Sequence, residues 1–192
     1  RMINQTKKDL SVGNGDSFLI WGYLSAAISL AVIVMLRATN DPKCGWLYLA
    51  IPIAGFAVSS IKTYMAKRKS HVASTYASNT INKVWAIISA VFAVYAIDCL
   101  LHFGEVRSWN GMFLLGMLLP GIGTYTTGVI LKEKSIQICG LLGVVIGTGW
   151  LRNFVSGEQV ISIMQMGLMV LSFVITLVIP GHILNFKAKK QQ

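Results

Sequence analysis

The sequence predicts an all-α fold: a polytopic transmembrane helical bundle of six spans. Three observations carry that expectation. Apolar residues make up 54% of the 192-residue chain and charged residues only 12%, about half the charged share of a soluble domain. The mean hydropathy is +0.63, yet the formal net charge is +10. The apolar residues fall into six runs that reach or approach the roughly 20 helical residues needed to cross a hydrocarbon core of about 30 Å. Disorder is excluded by the apolar content. A nucleic-acid partner is not expected, because its basic residues would have to line a soluble surface.

The spans read as 18–36, 45–61, 84–103, 111–130, 136–151 and 160–184. They leave a polar N-terminal tail over 1–17, a six-span domain over 18–185 and a basic tail over 186–192. Met2 reads as the natural start. No small-residue cleavage site follows the first apolar run, so that run is expected to be a retained span rather than a signal peptide. The fifth run is short for a span, which implies little tilt or extension by flanking residues.

Orientation follows from the cations. Thirteen Lys and Arg fall on the side of the two termini and only Arg37, Lys43, Arg107 and Arg152 on the other. This puts both termini in the cytoplasm. The tryptophans fall where this layout has membrane boundaries: Trp21 and Trp85 on one side, Trp46, Trp109 and Trp150 on the other. An indole favours that depth because its body is apolar and its N–H seeks a polar partner. The loop over 62–83 is basic, then polar. Lys67, Arg68 and Lys69 are expected against anionic inner-leaflet lipid headgroups. Val72, Tyr76 and Ile81 could form the apolar side of a short interfacial helix there.

The even-numbered spans each carry a proline: Pro52, then Pro120 with Gly121, then Pro180 with Gly181, spaced 68 and 60 residues apart. The pattern suggests three helical hairpins related by parallel repetition. Proline removes a backbone donor and crowds the preceding turn, so these residues are candidate hinges. In a membrane the carbonyl freed by each must find another partner. Small residues recur as well. Gly143 and Gly147 have G-x-x-x-G spacing, which suits either packing within the chain or a seam between two copies in a homo-oligomer.

The polar residues within the spans are few. Asp98 is the one acid, with His102 four residues on and Tyr95 three before, on one helix side. Such a trio could share a proton or hold a cation. Its ordinary role would be an interfacial acid paired with Arg107 or Arg152. Thr124, Tyr125, Thr126 and Thr127 either line a polar path or bond back to their own helix. Gln165 and His182 complete the candidate path. The three cysteines have no metal-ligand spacing, and a Cys44–Cys99 disulfide is the one pairing that the layout allows. The methionines Met112, Met117, Met164, Met166 and Met169 lack the array or Cys–His set that would bind copper(I), so no metal is expected. No cofactor is implied. No H-E-x-x-H, G-x-S-x-G or phosphate loop occurs, so an enzyme is not expected.

The layout resembles small six-span inner-membrane proteins of bacteria with no settled activity. The resemblance rests on Leu19-Ile20-Trp21-Gly22, on Leu119-Pro120-Gly121-Ile122-Gly123-Thr124 and on Ile179-Pro180-Gly181-His182. It implies a bacterial inner (plasma) membrane location and transfers no functional residues. Two functions stay open. One is a small-solute or ion transporter or channel whose kinked even helices move against the odd ones. The other is a non-transporting sensor, scaffold or accessory subunit acting through the basic loop. The scarcity of polar lining favours an apolar or small substrate, or no transport.

Overall fold

A computed structural model describes residues 2–39, 41–69, 76–101, 106–156 and 163–190. These residues are helical almost throughout, with no strand among them. The elements are α1 (Met2–Thr39), a 3-10 helix (Pro42–Leu49), α2 (Ala50–Lys69), α3 (Tyr76–Leu101), α4 (Val106–Leu131), α5 (Lys134–Ser156), α6 (Ile163–Phe173), a π turn (Val174–Val178) and α7 (Ile179–Lys190). The last three form one continuous rod.

Five helical stretches are long and apolar enough to cross a membrane, and these suggest a multi-pass membrane protein. The expected second span is the exception. Its apolar helical part, Cys44–Val58, is shorter than a full crossing and begins as a 3-10 helix. The expected fifth span is longer than its apolar run, because α5 continues to Ser156.

Three expected polar segments are helical. Residues 2–17 extend α1 backward, giving a rod of 38 residues, roughly 57 Å at 1.5 Å per residue. The basic tail continues α7 to Lys190. Within the expected loop over 62–83, residues 62–69 end α2 and residues 76–83 begin α3. Ile81, expected on an interfacial surface, is 2% exposed and faces the interior. Val72 and His102 lie outside the described residues. Lys67, Arg68 and Lys69 close α2, but their side chains lie outside them too.

The three prolines have three different local structures. Pro52 lies at the third residue of α2, just past the junction with the 3-10 helix. Pro120 lies within α4, whose helical assignment continues through it. Pro180 follows the π turn, in which the Ile179 N–H bonds to Val174 O, five residues back. The packing also departs from three equivalent hairpins. The most extensive pairing joins α4 to α5, across the expected repeat boundary. α1 packs along α6, the π turn and α7, so the first and last helices of the chain are neighbours.

Glycine explains both close pairings. In the α4–α5 hairpin, a Cβ on Gly121 would come 2.8 Å from Val144 N, and one on Gly140 would come 2.6 Å from Tyr125 Cα. A Cβ on Gly128 would come 2.7 Å from Gln137 N. The backbones touch, with contacts that lipid tails cannot supply. Along α1 and α7, Gly22 faces Val178 and Gly181 faces Leu19 and Gly15 O. Position rises on α1 as it falls on the rod, so the two run antiparallel.

The turn between α4 and α5 is a Schellman motif. Glu133 N–H bonds to Gly128 O at 2.8 Å and Lys132 N–H to Val129 O at 3.1 Å. The left-handed position is filled by Lys132, at φ 57°, rather than by the usual glycine. Gln137 adds an Nε2–H bond to Gly128 O at 3.1 Å. Glu133 also pairs with Lys187 of α7, tying this turn to the end of the rod.

Candidate functional site: an aromatic cleft

The two arms α1–α2 and α3–α4 leave a cavity of about 270 Å³ between them, floored by α6 and the π turn. Helical periodicity places its wall. On α3 the stripe Ile81, Trp85, Ile88, Phe92 and Ala96 lines it at spacings of three and four residues. α1 contributes Ser17, Phe18, Trp21 and Ser25. Tyr48, Ile51, Pro52 and Phe56 come from the 3-10 helix and α2. α4 gives Met112, Phe113, Gly116 and Pro120, and the rod gives Met169, Phe173 and Leu177.

Eight of the 23 described lining residues are aromatic, against 10% in the whole chain. The rings brace one another edge to face: Phe18 with Trp85 at 5.2 Å, Trp21 with Phe56 at 5.6 Å and Tyr48 with Phe113 at 5.2 Å. Such pairs are stronger than their buried area alone implies. Trp85 is fixed further by its indole N–H, which donates to Thr127 Oγ1 at 3.2 Å. Trp21 lies over Gly55 of α2, where a Cβ would collide with its ring. Among the described residues, no Asp, Glu, Lys, Arg or His lines the cavity.

The cavity has an opening. Phe56 of α2 is 49% exposed, and Asn82 and Ala93 of α3 are exposed as well. All three belong to its wall. α2 and α3 share no extensive packed face among the described residues. The gap between them therefore joins the cavity to the outside, along the side that would meet lipid. The α3 stripe from Ile81 to Ala96 spans roughly 22 Å at 1.5 Å per residue, so the cleft runs along the helices rather than across them.

The candidate polar path does not converge on this cleft, for none of its described residues lines it. Asp98 is exposed on α3, and Tyr95 is half-buried with its hydroxyl against Gly111. Tyr125 is 43% exposed, and Gln165 is half-buried on α6. Exposed His182 takes part in a 2.7 Å hydrogen bond between its Nε2 and the Tyr23 hydroxyl, and the rings meet edge to face. One turn away Asn185 Nδ2–H donates to Asp16 Oδ1 at 2.8 Å. These two bonds join α1 to α7.

The threonines bond to helix carbonyls. Thr126 Oγ1 donates to Ile122 O and Thr127 Oγ1 to Gly123 O, each four residues back. Thr124 reaches across instead: its Oγ1 donates to Thr176 O at 2.6 Å. That is the carbonyl an α-helical register would direct at residue 180, where Pro180 has no N–H. Thr124 thus gives that carbonyl a donor where the Pro180 N–H is missing, as a membrane interior favours. Thr176 in turn bonds to Ser172 O at 2.7 Å. Its methyl occupies the notch left by Gly143, where a Cβ would collide with it. Gly147 faces Leu118 of α4, so both glycines of the G-x-x-x-G pair are buried within this chain.

The cysteines are free thiols, so the Cys44–Cys99 disulfide is not formed. No group of three His, Cys, Asp or Glu among the described residues has a metal-binding arrangement.

Sequence reasoning missed the cleft because it read the tryptophans as boundary anchors. Trp21 and Trp85 line the cavity, and Trp150 is 5% exposed beside Phe113. A signal was present in the 81-85-88-92-96 stripe of α3, whose larger residues sit on one helix side. Set against known protein families, curated proteins and solved structures, the chain has no match.

Proposed function

We propose that the protein is a small membrane transporter whose substrate is a neutral, lipophilic molecule rather than an ion. The aromatic cleft carries this reading. Its walls offer dispersion and ring contacts, and among the described residues it has no charged side chain to stabilise an ion taken out of water. The opening between α2 and α3 suits a substrate already dissolved in the bilayer. The scattered positions of Asp98, Tyr125, Gln165 and His182 support no ion route. We further propose an inner-membrane location, with both termini cytoplasmic on the thirteen-to-four division of cations. In that orientation Ser17 and Asn82 mark the cytoplasmic end of the cleft.

The test uses purified protein in nanodiscs and in liposomes with a lipophilic aromatic fluorophore. Binding should quench tryptophan emission, because Trp21 and Trp85 both line the cleft. Gly116→Leu fills the space: a Cβ there has its nearest neighbour, Phe173, at 3.9 Å. The variant should fold, bind the fluorophore at least about tenfold more weakly and move it across liposomes more slowly. Equal binding and flux in the two proteins would overturn the transporter reading and leave the scaffold alternative.

A further inference from the structure

We propose that the turn between α4 and α5, together with the end of α7, holds the headgroup of an anionic phospholipid. None of the residues involved lines the cleft. Glu133 of the turn pairs with Lys187, which brings Lys132 and Lys134 to the end of the rod. Lys190 stands one turn on from Lys187, on the same side of α7. Glu133 is the only acid in residues 106–156 and 163–190. Four lysines therefore meet one carboxylate, and a net positive charge remains.

Two of these lysines are placed against local preference. Lys132 holds φ 57° at the position where a helix usually ends in glycine. Lys134 opens α5, where a cation opposes the helix dipole. Both side chains are exposed. An anion held at this turn gives both a partner, and it lies at the N-terminus of α5, whose own partial charge attracts it.

The surface below the turn assigns the anion to a lipid. On α4, exposed Ile122, Tyr125 and Val129 lead up to Lys132 at steps of three and four residues. On α5, exposed Ile138, Leu141 and Val145 lead away from Lys134 at the same steps. Each stripe runs roughly 15 Å at 1.5 Å per residue, half of a hydrocarbon core of about 30 Å. Cations above an apolar stripe one leaflet deep match a phosphate above acyl chains. A free phosphate or an acidic peptide would leave the stripes uncovered. In the proposed orientation this end meets the cytoplasmic leaflet, whose anionic lipids attract basic segments.

The test titrates phosphatidylglycerol, and separately phosphatidylcholine with the same chains, onto the full chain in uncharged detergent micelles. Native mass spectrometry reads the affinity for the first lipid bound. Wild-type protein should bind phosphatidylglycerol at least about tenfold more tightly, since each cation near an anionic surface contributes about a factor of five. Lys132→Gly should weaken that binding about fivefold while melting no lower than wild type, because glycine suits the turn. Lys134→Gln, which leaves the turn intact, should give a similar loss. Lys83→Gln, which removes an exposed cation from α3, should change binding less than about twofold. Equal affinity for the two lipids, or equal weakening by Lys83→Gln and Lys132→Gly, would overturn the site. Competition by glycerol 3-phosphate at the lipid's own concentration would overturn the lipid as occupant. A fall in the melting temperature of Lys132→Gly would overturn the reading of Lys132 as placed for a ligand.

Discussion

The α4–α5 hairpin with its π turn and the α1–α2–α3 side of the bundle solve the same problem in opposite ways. Around Gly121, Gly140 and Gly143 the helices meet backbone to backbone, and Thr176 fills the remaining notch. Around Phe18, Trp21, Trp85 and Phe92 the side chains are too large for such approach, and a cavity of about 270 Å³ remains. Small residues make a seam and large ones make a room. Within a membrane the hydrophobic effect does not close the room, because lipid tails are as apolar as the walls. Packing alone decides which helices meet, so an aromatic cleft open to lipid is stable without being filled by protein.

The comparison breaks most sharply at Gly140. Gly140→Leu should separate α4 from α5 and cost more than about 3 kcal/mol, the upper range for overpacking. Gly149→Leu, with nothing within 4 Å of its Cβ, should leave stability nearly unchanged. Thermal unfolding in detergent would measure both, and equal losses would refute the seam.

A smaller effect is expected at the junction of hairpin and rod. Thr124→Val keeps the shape but leaves Thr176 O without its 2.6 Å donor. The loss should be about 1–2 kcal/mol, the upper range for interhelical bonds in membranes. Thr126→Val, which removes only a bond within its own helix, should cost less. The order of the two melting temperatures tests this, and a reversed order would deny Thr124 its bridging role.

The turn offers a gain. Lys132 holds φ 57° with a side chain, and the left-handed conformation costs an L-residue about 1 kcal/mol or more. Lys132→Gly should therefore stabilise the hairpin by up to about 1 kcal/mol, less the backbone freedom that glycine adds to the unfolded chain. A clear fall in melting temperature would contradict that.

The smallest effect belongs to Glu133 and Lys187, whose side chains are 31% and 42% exposed. A double-mutant cycle should give a coupling of only about 0.5 kcal/mol, shrinking with added salt. A coupling several times larger and insensitive to salt would mean that this pair, rather than packing, fixes the rod against the hairpin.

The sequence determined the helices. Five apolar runs became long helices because only a helix satisfies its own backbone in an apolar medium. The glycines at 143 and 147 announced a close seam, and α3 carried its lining stripe in its spacing. Local pattern could not say which helices would be neighbours. It grouped span one with two, three with four and five with six, whereas the most extensive pairing joins α4 to α5 and the first helix packs on the last. It read Trp21 and Trp85 for depth alone, because an indole near a membrane boundary looks alike in sequence whether it faces headgroups or a cavity. It gathered Asp98, Tyr125, Gln165 and His182 into one path, although each is set by the rotation of its own helix. Those choices rest on contacts between residues far apart in the chain. Thr124 and Thr176 are 52 positions apart and Tyr23 and His182 are 159 apart. Only the tertiary structure could bring them together.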